Sequence, residues 1–315
     1  MKRIEIFFLR MFSRFYNQYF ASSELSNRLA LGGVAMNSSR SNRADFKNLW
    51  DAEVKVFSQF GEDGILNYLF DVFDIAKPRI VEFGAGNFTE CNSRFAAEYR
   101  NASVYPVDLR HDLIQNVESL EVYWKNHIFP QQDFITPESA IKHLKIAEQL
   151  MNGVDMISLD IDGNDYWVLQ KLNLNNIKIL VCEYNPLYGP YRACTVPKDD
   201  NYDRTMKHFS WLHFGMSLRA AIGLATDQGL VFAGTNRVGN NAFFVRGSLA
   251  NKLDFSLPDT SDLSQFTDWR VREARDSNGE LNYSSGSDRI KSMADCEVFD
   301  IEKNALIKVG TLWNC

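Results

Sequence analysis

The sequence LVFAGTNRVGNNAFFVRG, residues 230–247, contains two apolar runs that are separated by only four residues. Each run, LVFAGTN (230–236) and NAFFVRG (241–247), has the length and composition of a buried strand. Four residues are too few for a crossover connection between parallel strands, but they suffice for a hairpin. We therefore predict that the last two strands of the sheet pair antiparallel.

Upstream of this hairpin, five apolar runs alternate with segments of helical spacing. The runs are RIVEFGA (79–85), SVYPVDL (103–109), HIFPQQDFI (127–135), DMISLDI (155–161) and KILVCEYN (178–185). Alternation of this kind predicts a parallel sheet with helices on both faces. Five parallel strands and a terminal hairpin give a mostly parallel α/β sheet of seven strands. Its commonest form is the Rossmann-like fold of class I S-adenosylmethionine (SAM) methyltransferases.

Composition and charge narrow the class of protein further. The chain has 315 residues, of which 45% are hydrophobic and 23% charged, and its formal net charge is −6. An acidic chain is not expected to bind nucleic acid through its overall charge. The five cysteines are scattered without a CxxC pair, which argues against a disulfide framework or zinc site and favours a cytoplasmic location.

The pattern of the chain divides it into three regions. We predict an N-terminal extension at 1–50, a methyltransferase-like domain at 51–250, and a C-terminal extension at 251–315 that packs on the core. Residues 1–20 are basic, and their aromatic and aliphatic residues recur at helical spacing. Two interpretations stay open: an amphipathic helix lying peripherally on the inner face of a membrane, or one packed against the protein or a second copy in a homo-oligomer.

A glycine-rich turn follows the first predicted strand. Glycine allows the backbone to pass close to a ligand and to take dihedrals that side chains disfavour. The third glycine of a dinucleotide fingerprint is absent, and a lone GxG is also compatible with a simple tight turn. At this position the turn is typical of the methyltransferase motif for the methionine part of SAM. The candidate residues are Glu82, Gly84, Ala85, Gly86 and Asn87.

The next two predicted strands also end in residues suited to this cofactor. Asp108 closes the second run, where a carboxylate can accept hydrogen bonds from both ribose hydroxyls. Asp133 and Phe134 close the third run, where a polar group can meet the adenine amine and a ring can cover the base. Three such signals at successive strand ends predict a SAM site along one edge of the sheet.

An acidic cluster follows the fourth predicted strand. Asp160, Asp162 and Asp165 resemble the start of a calcium loop, but the bidentate glutamate further along is missing, and Asp165 also suits a helix start. Glu183 and Asn185 on the fifth run lie two residues apart and share one side of a regular strand. We predict that Asp160, Asp162, Glu183 and Asn185 bind Mg²⁺ or Mn²⁺, with the first three also candidate catalytic groups and Asp160 a candidate SAM contact.

Two histidines lie between the fifth strand and the hairpin, where many methyltransferases form the acceptor pocket. His208 is our candidate general base, because the ordinary pKa of histidine is about 6.5. The alternative is that His208 and His213 are packed residues among aromatic neighbours.

Several segments resemble one family directly. They are FSQFGEDGIL (57–66), VEFGAGN (81–87), SLDIDGNDYWVL (158–169), CEYNP (182–186) and NAFFVR (241–246). Together they resemble an FkbM-related group of bacterial SAM methyltransferase-like proteins, which carry D-I-E-G-x-E where this chain has Asp160 to Asp165. The resemblance implies a helix carrying Glu62 over the SAM pocket. It also implies methyl transfer to an oxygen, such as a sugar hydroxyl of a surface-polysaccharide precursor.

The predicted function is therefore a SAM-dependent O-methyltransferase that takes a small-molecule or glycan acceptor. Two alternatives stay open, because fold does not fix function. One is a metal-dependent transferase or hydrolase that uses the acidic cluster on the same fold. The other is a non-catalytic SAM-binding protein that serves as a partner in a biosynthetic complex.

Overall fold

The computed structural model describes residues 23–271 and 273–313. The amphipathic helix predicted at 1–20 lies outside these residues. Residues 23–42 form helix α1, which contributes the buried Met36 and an ion pair from Arg40 to Asp71 at 2.6 Å. In the part of the chain that the structure describes, no helix combines the length and hydrophobicity needed to span a bilayer.

The main sheet confirms the predicted fold. Its seven strands are β1 (Arg79–Phe83), β2 (Ser103–Asp108), β3 (Gln131–Gln132), β4 (Met156–Leu159), β5 (Ile179–Glu183), β7 (Leu230–Thr235) and β8 (Asn241–Arg246). They are ordered β3-β2-β1-β4-β5-β8-β7. The first five strands are parallel, and β8 is antiparallel to both β5 and β7. This is a Rossmann-like methyltransferase sheet closed by an antiparallel hairpin.

Helices cover both faces of this sheet. The remaining helices are α2 (Glu62–Val72), α3 (Arg94–Arg100), α4 (Leu113–Ser119), α5 (Glu121–Lys125), α6 (Pro137–Met151), α7 (Asp165–Lys171), α8 (Arg204–Lys207), α9 (Leu218–Asp227) and α10 (Ser287–Ser292). Neighbouring strand residues point to opposite faces. Ile80 and Met156 therefore join the core under α2, while Val81 and Ile157 join the core under α6 and α7.

Local sequence explains where the long helix α6 begins. The Thr136 hydroxyl accepts a hydrogen bond from the Ser139 N–H at 3.1 Å, and the Ser139 hydroxyl accepts one from the Thr136 N–H at 2.9 Å. This reciprocal cap satisfies two N–H groups that a helix leaves unpaired at its start. Pro137 fits the first helical position because it has no N–H to satisfy.

The third strand is much shorter than its apolar run predicts. Only Gln131–Gln132 is strand, with an isolated bridge between Ile128 and Val104 upstream. Pro130 separates the two, and it has no N–H to donate to a ladder. The run at 127–135 is therefore paired only in part.

A second, three-stranded sheet was not predicted. It consists of β6 (Cys194–Thr195), β9 (Glu297–Asp300) and β10 (Ala305–Lys308), in the order β10-β9-β6 and antiparallel throughout. Strand β6 lies between β5 and β7 in the chain, so the sheet joins this insertion to the C-terminal segment. The buried residues of its core include Leu187, Phe214 and Val298. The division of the chain into regions at 1–50, 51–250 and 251–315 stays a prediction.

Candidate functional site

A cavity of about 600 Å³ opens at the carboxyl ends of β1, β2 and β4. Its lining comes from the turn after β1, the end of β2, the segment after β3, the end of β4, and the segment before and within α8. The residues are Gly84, Gly86, Asp108, Leu109, Arg110, Phe134, Ile135, Asp160, Ile161, Asp162, Asn164, Asn201, Tyr202, Asp203, Arg204 and Thr205. Open α/β sheets bind ligands at this edge. The volume is within the range of small-molecule sites, about 300–1,000 Å³.

The two glycines after β1 serve different purposes. Gly84 has a φ of 87°, and a Cβ there would lie 1.5 Å from the carbonyl oxygen of Asp160, so it permits the ends of β1 and β4 to approach. Gly86 has a φ of 58°, and a Cβ there would meet no atom within 4 Å. Its position in the cavity lining leaves the backbone open to a ligand.

Asp108 is held in place by the backbone. Its Oδ2 accepts the Gly86 N–H at 2.7 Å, and its Oδ1 accepts the Arg110 N–H at 2.9 Å. Burial raises the pKa of this carboxyl, against those two hydrogen bonds, which lower it. A carboxylate has about four lone-pair sites, so Asp108 can still accept hydrogen bonds from a ligand in the cavity.

Three other residues of the predicted motif lie outside the cavity lining. The Glu82 carboxylate accepts the backbone N–H groups of Asn92 at 2.7 Å and Ser93 at 3.0 Å, and burial raises its pKa. Ala85 is buried, and the Asn87 side chain accepts the Thr89 N–H at 3.2 Å. These residues shape the turn, and their contact with SAM stays a prediction.

Of the two residues that we predicted to contact adenine, Phe134 and Asp133, only one lines the cavity. Phe134 lines the cavity. The Asp133 carboxylate lies instead between the Phe134 N–H at 2.9 Å and Nε2 of the buried His143 at 2.9 Å. The other ring nitrogen of His143 lies 3.0 Å from the Tyr105 hydroxyl. Asp133 therefore ends a buried hydrogen-bond chain and is not part of the cavity lining.

Glu62 also lies away from the cavity lining. It begins α2, is fully buried, and accepts the N–H groups of Phe60 and Gly61 at 3.0 and 2.9 Å. Its other oxygen accepts the side-chain amides of Asn236 at 2.7 Å and Asn241 at 3.1 Å. In this structure Glu62 connects α2 to the hairpin.

The structure brings three of the predicted acidic residues together. One carboxylate oxygen each of Asp160, Asp162 and Glu183 lies within 4.8 Å of the others. The strand register explains this, because Leu159 pairs with Cys182 and the next residues are Asp160 and Glu183. Burial, followed by the charges of neighbouring carboxylates, raises the pKa of both Asp160 and Glu183 well above its ordinary value.

Arg204 on α8 lies beside these carboxylates, and no pattern in the sequence predicts it. It forms an ion pair with Asp162, contacts Glu273 at 3.2 Å, and lies 5.0 Å from the centre of the Phe214 ring. Asp162 has a left-handed backbone with a φ of 57°. Arg204 follows Asp162 by 42 residues, so only the fold brings these two charges together.

The third aspartate of the cluster has a structural role. Asp165 is fully buried, and its two oxygens accept the N–H groups of Ile161 at 3.0 Å and Gly163 at 2.9 Å. Burial raises its pKa to about 6, although these hydrogen bonds lower it. Asp165 therefore closes the turn that presents Asp160 and Asp162.

Asn185, a predicted metal ligand, is engaged elsewhere. Its amide nitrogen donates to the carbonyls of Leu212 at 2.8 Å and Phe214 at 3.1 Å, and its oxygen accepts the Leu187 N–H at 3.1 Å. Both ends of the side chain fix the loop after β5. The structure therefore gives the Asn185 amide a role in holding this loop, and its contact with a metal ion stays a prediction.

Neither histidine reaches the cavity lining. His208 lies 2.7 Å from the Ser210 hydroxyl, and burial lowers its pKa. His213 is buried between the Tyr202 hydroxyl and the Glu297 carbonyl, each at 3.0 Å, and burial lowers its pKa to about 4. The structure does not bring His208 to Asp160, so it does not support His208 as the general base.

The sequence matches no protein-family model, and no curated protein matches it significantly. Several solved structures resemble the chain in part. The N-terminal domain of EvdMO1 with SAH bound is 10% identical over 60% of this chain and 80% of its own, with a TM-score of 0.38. An O-methyltransferase family protein from Burkholderia thailandensis is 12% identical over 58% of this chain and 55% of its own, with a TM-score of 0.35.

A methyltransferase from Geobacter sulfurreducens gives similar values. It is 13% identical over 57% of this chain and 76% of its own, with a TM-score of 0.33. Similarity at this level does not indicate which activity this protein has. The fold assignment therefore rests on the strand order and the closing hairpin.

Proposed function

We propose that the protein is a SAM-dependent O-methyltransferase. The observation that carries this proposal is the cavity at the carboxyl ends of β1, β2 and β4, on a sheet with the methyltransferase strand order. In this proposal Gly86 lies against the methionine part of SAM, Asp108 accepts the ribose hydroxyls, and Phe134 covers the adenine. Each of these residues lines the cavity.

The carboxylates beside the cavity are suited to removing the proton of the acceptor hydroxyl. Methyl transfer from a sulfonium is an in-line displacement, so the protein mainly has to align the acceptor oxygen with the methyl group. A hydroxyl acceptor must also lose its proton. Asp160 lines the cavity and lies beside Glu183, so these carboxylates are placed to accept that proton.

For the acceptor we propose a hydroxyl of a sugar or of a surface-polysaccharide precursor. This part of the proposal rests on the resemblance to FkbM-related proteins. The polar residues of the cavity lining, which include Asn164, Asn201, Asp203 and Thr205, offer hydrogen-bonding groups that a polyhydroxyl ligand would need.

Calorimetric titration with SAM tests the cofactor proposal on the full-length protein. Asp108→Asn should weaken SAM binding about tenfold to a hundredfold, because hydrogen bonds to a charged acceptor contribute about 1.5–3 kcal/mol. Asp112→Asn is the matched control, since Asp112 pairs with Arg110 nearby but does not line the cavity. Equal affinities in the two variants would contradict the proposed site.

A further inference from the structure

Two buried side-chain oxygens on paired residues of neighbouring strands have no hydrogen-bond donor. They are Oε2 of Glu183 and Oδ1 of Asn241, and neither has a partner among the described residues. The two residues are directly opposed across β5 and β8, and their exposures are 5% and 4%. Directly opposed residues in antiparallel strands place their Cβ atoms about 4.5–5.5 Å apart. Buried acceptors of this kind normally have a hydrogen-bond or metal partner.

The orientation of the Asn241 amide is fixed from the opposite side. Its nitrogen donates to Oε1 of Glu62 at 3.1 Å, and the same oxygen accepts the Asn236 amide at 2.7 Å. Because Glu62 holds the nitrogen, the oxygen of the Asn241 amide lies on the side away from Glu62. The network around Glu62 thus leaves the amide oxygen of Asn241 unpaired on a residue that is directly opposed to Glu183.

The carboxylates around Glu183 have the spacing of ligands that share one ion. Oxygens of Asp160, Asp162 and Glu183 lie within 4.8 Å of one another. Oxygen ligands lie about 2.0–2.6 Å from a magnesium or calcium ion, so two on opposite sides of it are about 4–5 Å apart. The three carboxylates therefore do not need to move far to bind the same cation.

The charge balance points to the same conclusion. Arg204 supplies one positive charge to the three carboxylates and is shared with Glu273. With all three ionised, the group keeps a net charge of −2 after Arg204 is counted. A single divalent cation would neutralise it, and carboxylate and amide oxygens are the ligands that Mg²⁺ and Mn²⁺ prefer.

We propose that Asp160, Asp162, Glu183 and Asn241 form a binding site for one Mg²⁺ or Mn²⁺ ion. This replaces Asn185 in the predicted ligand set with Asn241. The ion would lower the pKa of an acceptor hydroxyl beside the cavity, a role that rests on the proposed methyl transfer. The site itself does not depend on that activity. The competing explanation is a proton on Glu183 that is donated to Asn241.

Titration with Mn²⁺ alone tests this site without an acceptor or an activity assay. Free Mn²⁺ is measured by electron paramagnetic resonance as it is added to the full-length protein and to variants. We expect one saturable site in the wild type, none in Glu183→Gln, and at least tenfold weaker binding in Asn241→Leu. Asn240→Leu is the matched control, because Asn240 belongs to the same buried network through Asn236 but is not opposed to Glu183. It should bind as the wild type does.

The outcomes separate the explanations. Absence of saturable Mn²⁺ binding in the folded wild type would overturn the cation site and leave the proton as the missing partner. Wild-type affinity in a folded Asn241→Leu variant would remove Asn241 from the ligand set, and circular dichroism of each variant confirms folding. SAM titration of the same samples is independent. Mn²⁺ binding without SAM binding would contradict only the methyltransferase proposal, and the reverse result only the cation site.

Discussion

Asp160 and Asp165 are five residues apart, yet their carboxylates meet different surroundings. Asp165 accepts the backbone N–H groups of Ile161 and Gly163. Asp160 lies at the cavity, next to the carboxylates of Asp162 and Glu183. The first arrangement stabilises the fold, whereas the second brings like charges close together, which costs stability.

This contrast predicts opposite effects on stability. Asp165→Ala should lower the free energy of unfolding by about 2–3 kcal/mol, because two buried N–H groups lose their acceptor. Asp160→Asn should stay within about 1 kcal/mol of the wild type or exceed it, because it relieves repulsion. Urea denaturation of both variants measures the difference. Equal destabilisation by the two substitutions would contradict the separate roles.

His213 should make stability depend on pH. Its pKa is lowered to about 4 in the folded protein by burial, from an ordinary value of 6.5. Above pH 6.5 the ring is neutral in the folded and the unfolded state, so His213 does not reduce the free energy of unfolding. As pH falls from 6.5 towards 4, the unfolded chain binds a proton that the folded protein does not, and stability is lost. At pH 5 the loss is about 2 kcal/mol.

Chemical denaturation at pH 7 and pH 5 checks this prediction. His213→Gln cannot bind the proton, so its stability should fall less than that of the wild type between these two values. Parallel behaviour of the two proteins over this range would show that His213 is not the group responsible.

Individual elements of the fold differ in how well the sequence predicts them. The hairpin was predictable because a four-residue gap is too short for a crossover between parallel strands. The helices were predictable because their apolar spacing and their capping residues are local features of the sequence. The third strand was overestimated because Pro130 interrupts pairing inside an apolar run. Strand β9 pairs with β6 across about a hundred residues, and no local pattern signals a partner at that distance.

The contact between α2 and the hairpin predicts a large effect from one substitution. Glu62→Ala leaves four donors without their acceptor, the N–H groups of Phe60 and Gly61 and the amides of Asn236 and Asn241. We expect a loss of about 3 kcal/mol or more in the free energy of unfolding. Glu90→Ala is the control, since Glu90 is half exposed and its oxygen lies 3.6 Å from Lys55.

Thermal and urea denaturation of these two variants provide the measurement. The control should lie within about 0.5 kcal/mol of the wild type, because exposed ion pairs contribute little. A Glu62→Ala variant as stable as the Glu90→Ala variant would show that α2 and the hairpin do not depend on this contact.

For the molecule as a whole, the candidate site is assembled from distant parts of the chain. The sequence predicted Gly86, Asp108 and Asp160 at the cavity because each follows a strand, and strand ends meet at one edge. It did not predict that Arg204 pairs with Asp162, or that Asn241 lies opposite Glu183. Both omissions have one cause: which side chains meet across an insertion or an antiparallel pair depends on register, which short spacing does not reveal.

The packing of residues 23–52 predicts how far the N-terminus can be shortened. Met36, Phe46 and Leu49 are buried in the core, and Arg40 is paired with Asp71. Deletion of residues 1–22 should leave SAM affinity and melting temperature near those of the full chain. Deletion of residues 1–48 should lower the melting temperature by several degrees or abolish folding, because it uncovers apolar surface. Equal melting temperatures for the two truncations would contradict this account.

A crystal structure with S-adenosylhomocysteine tests the proposed SAM site. We expect density in the cavity after β1, β2 and β4, with the ribose hydroxyls in hydrogen-bond reach of Asp108 and the adenine against Phe134. The amino-acid part should lie along the backbone at Gly86. Density for the ligand at another place on the molecule, or an empty cavity at saturating ligand, would contradict the proposed SAM site.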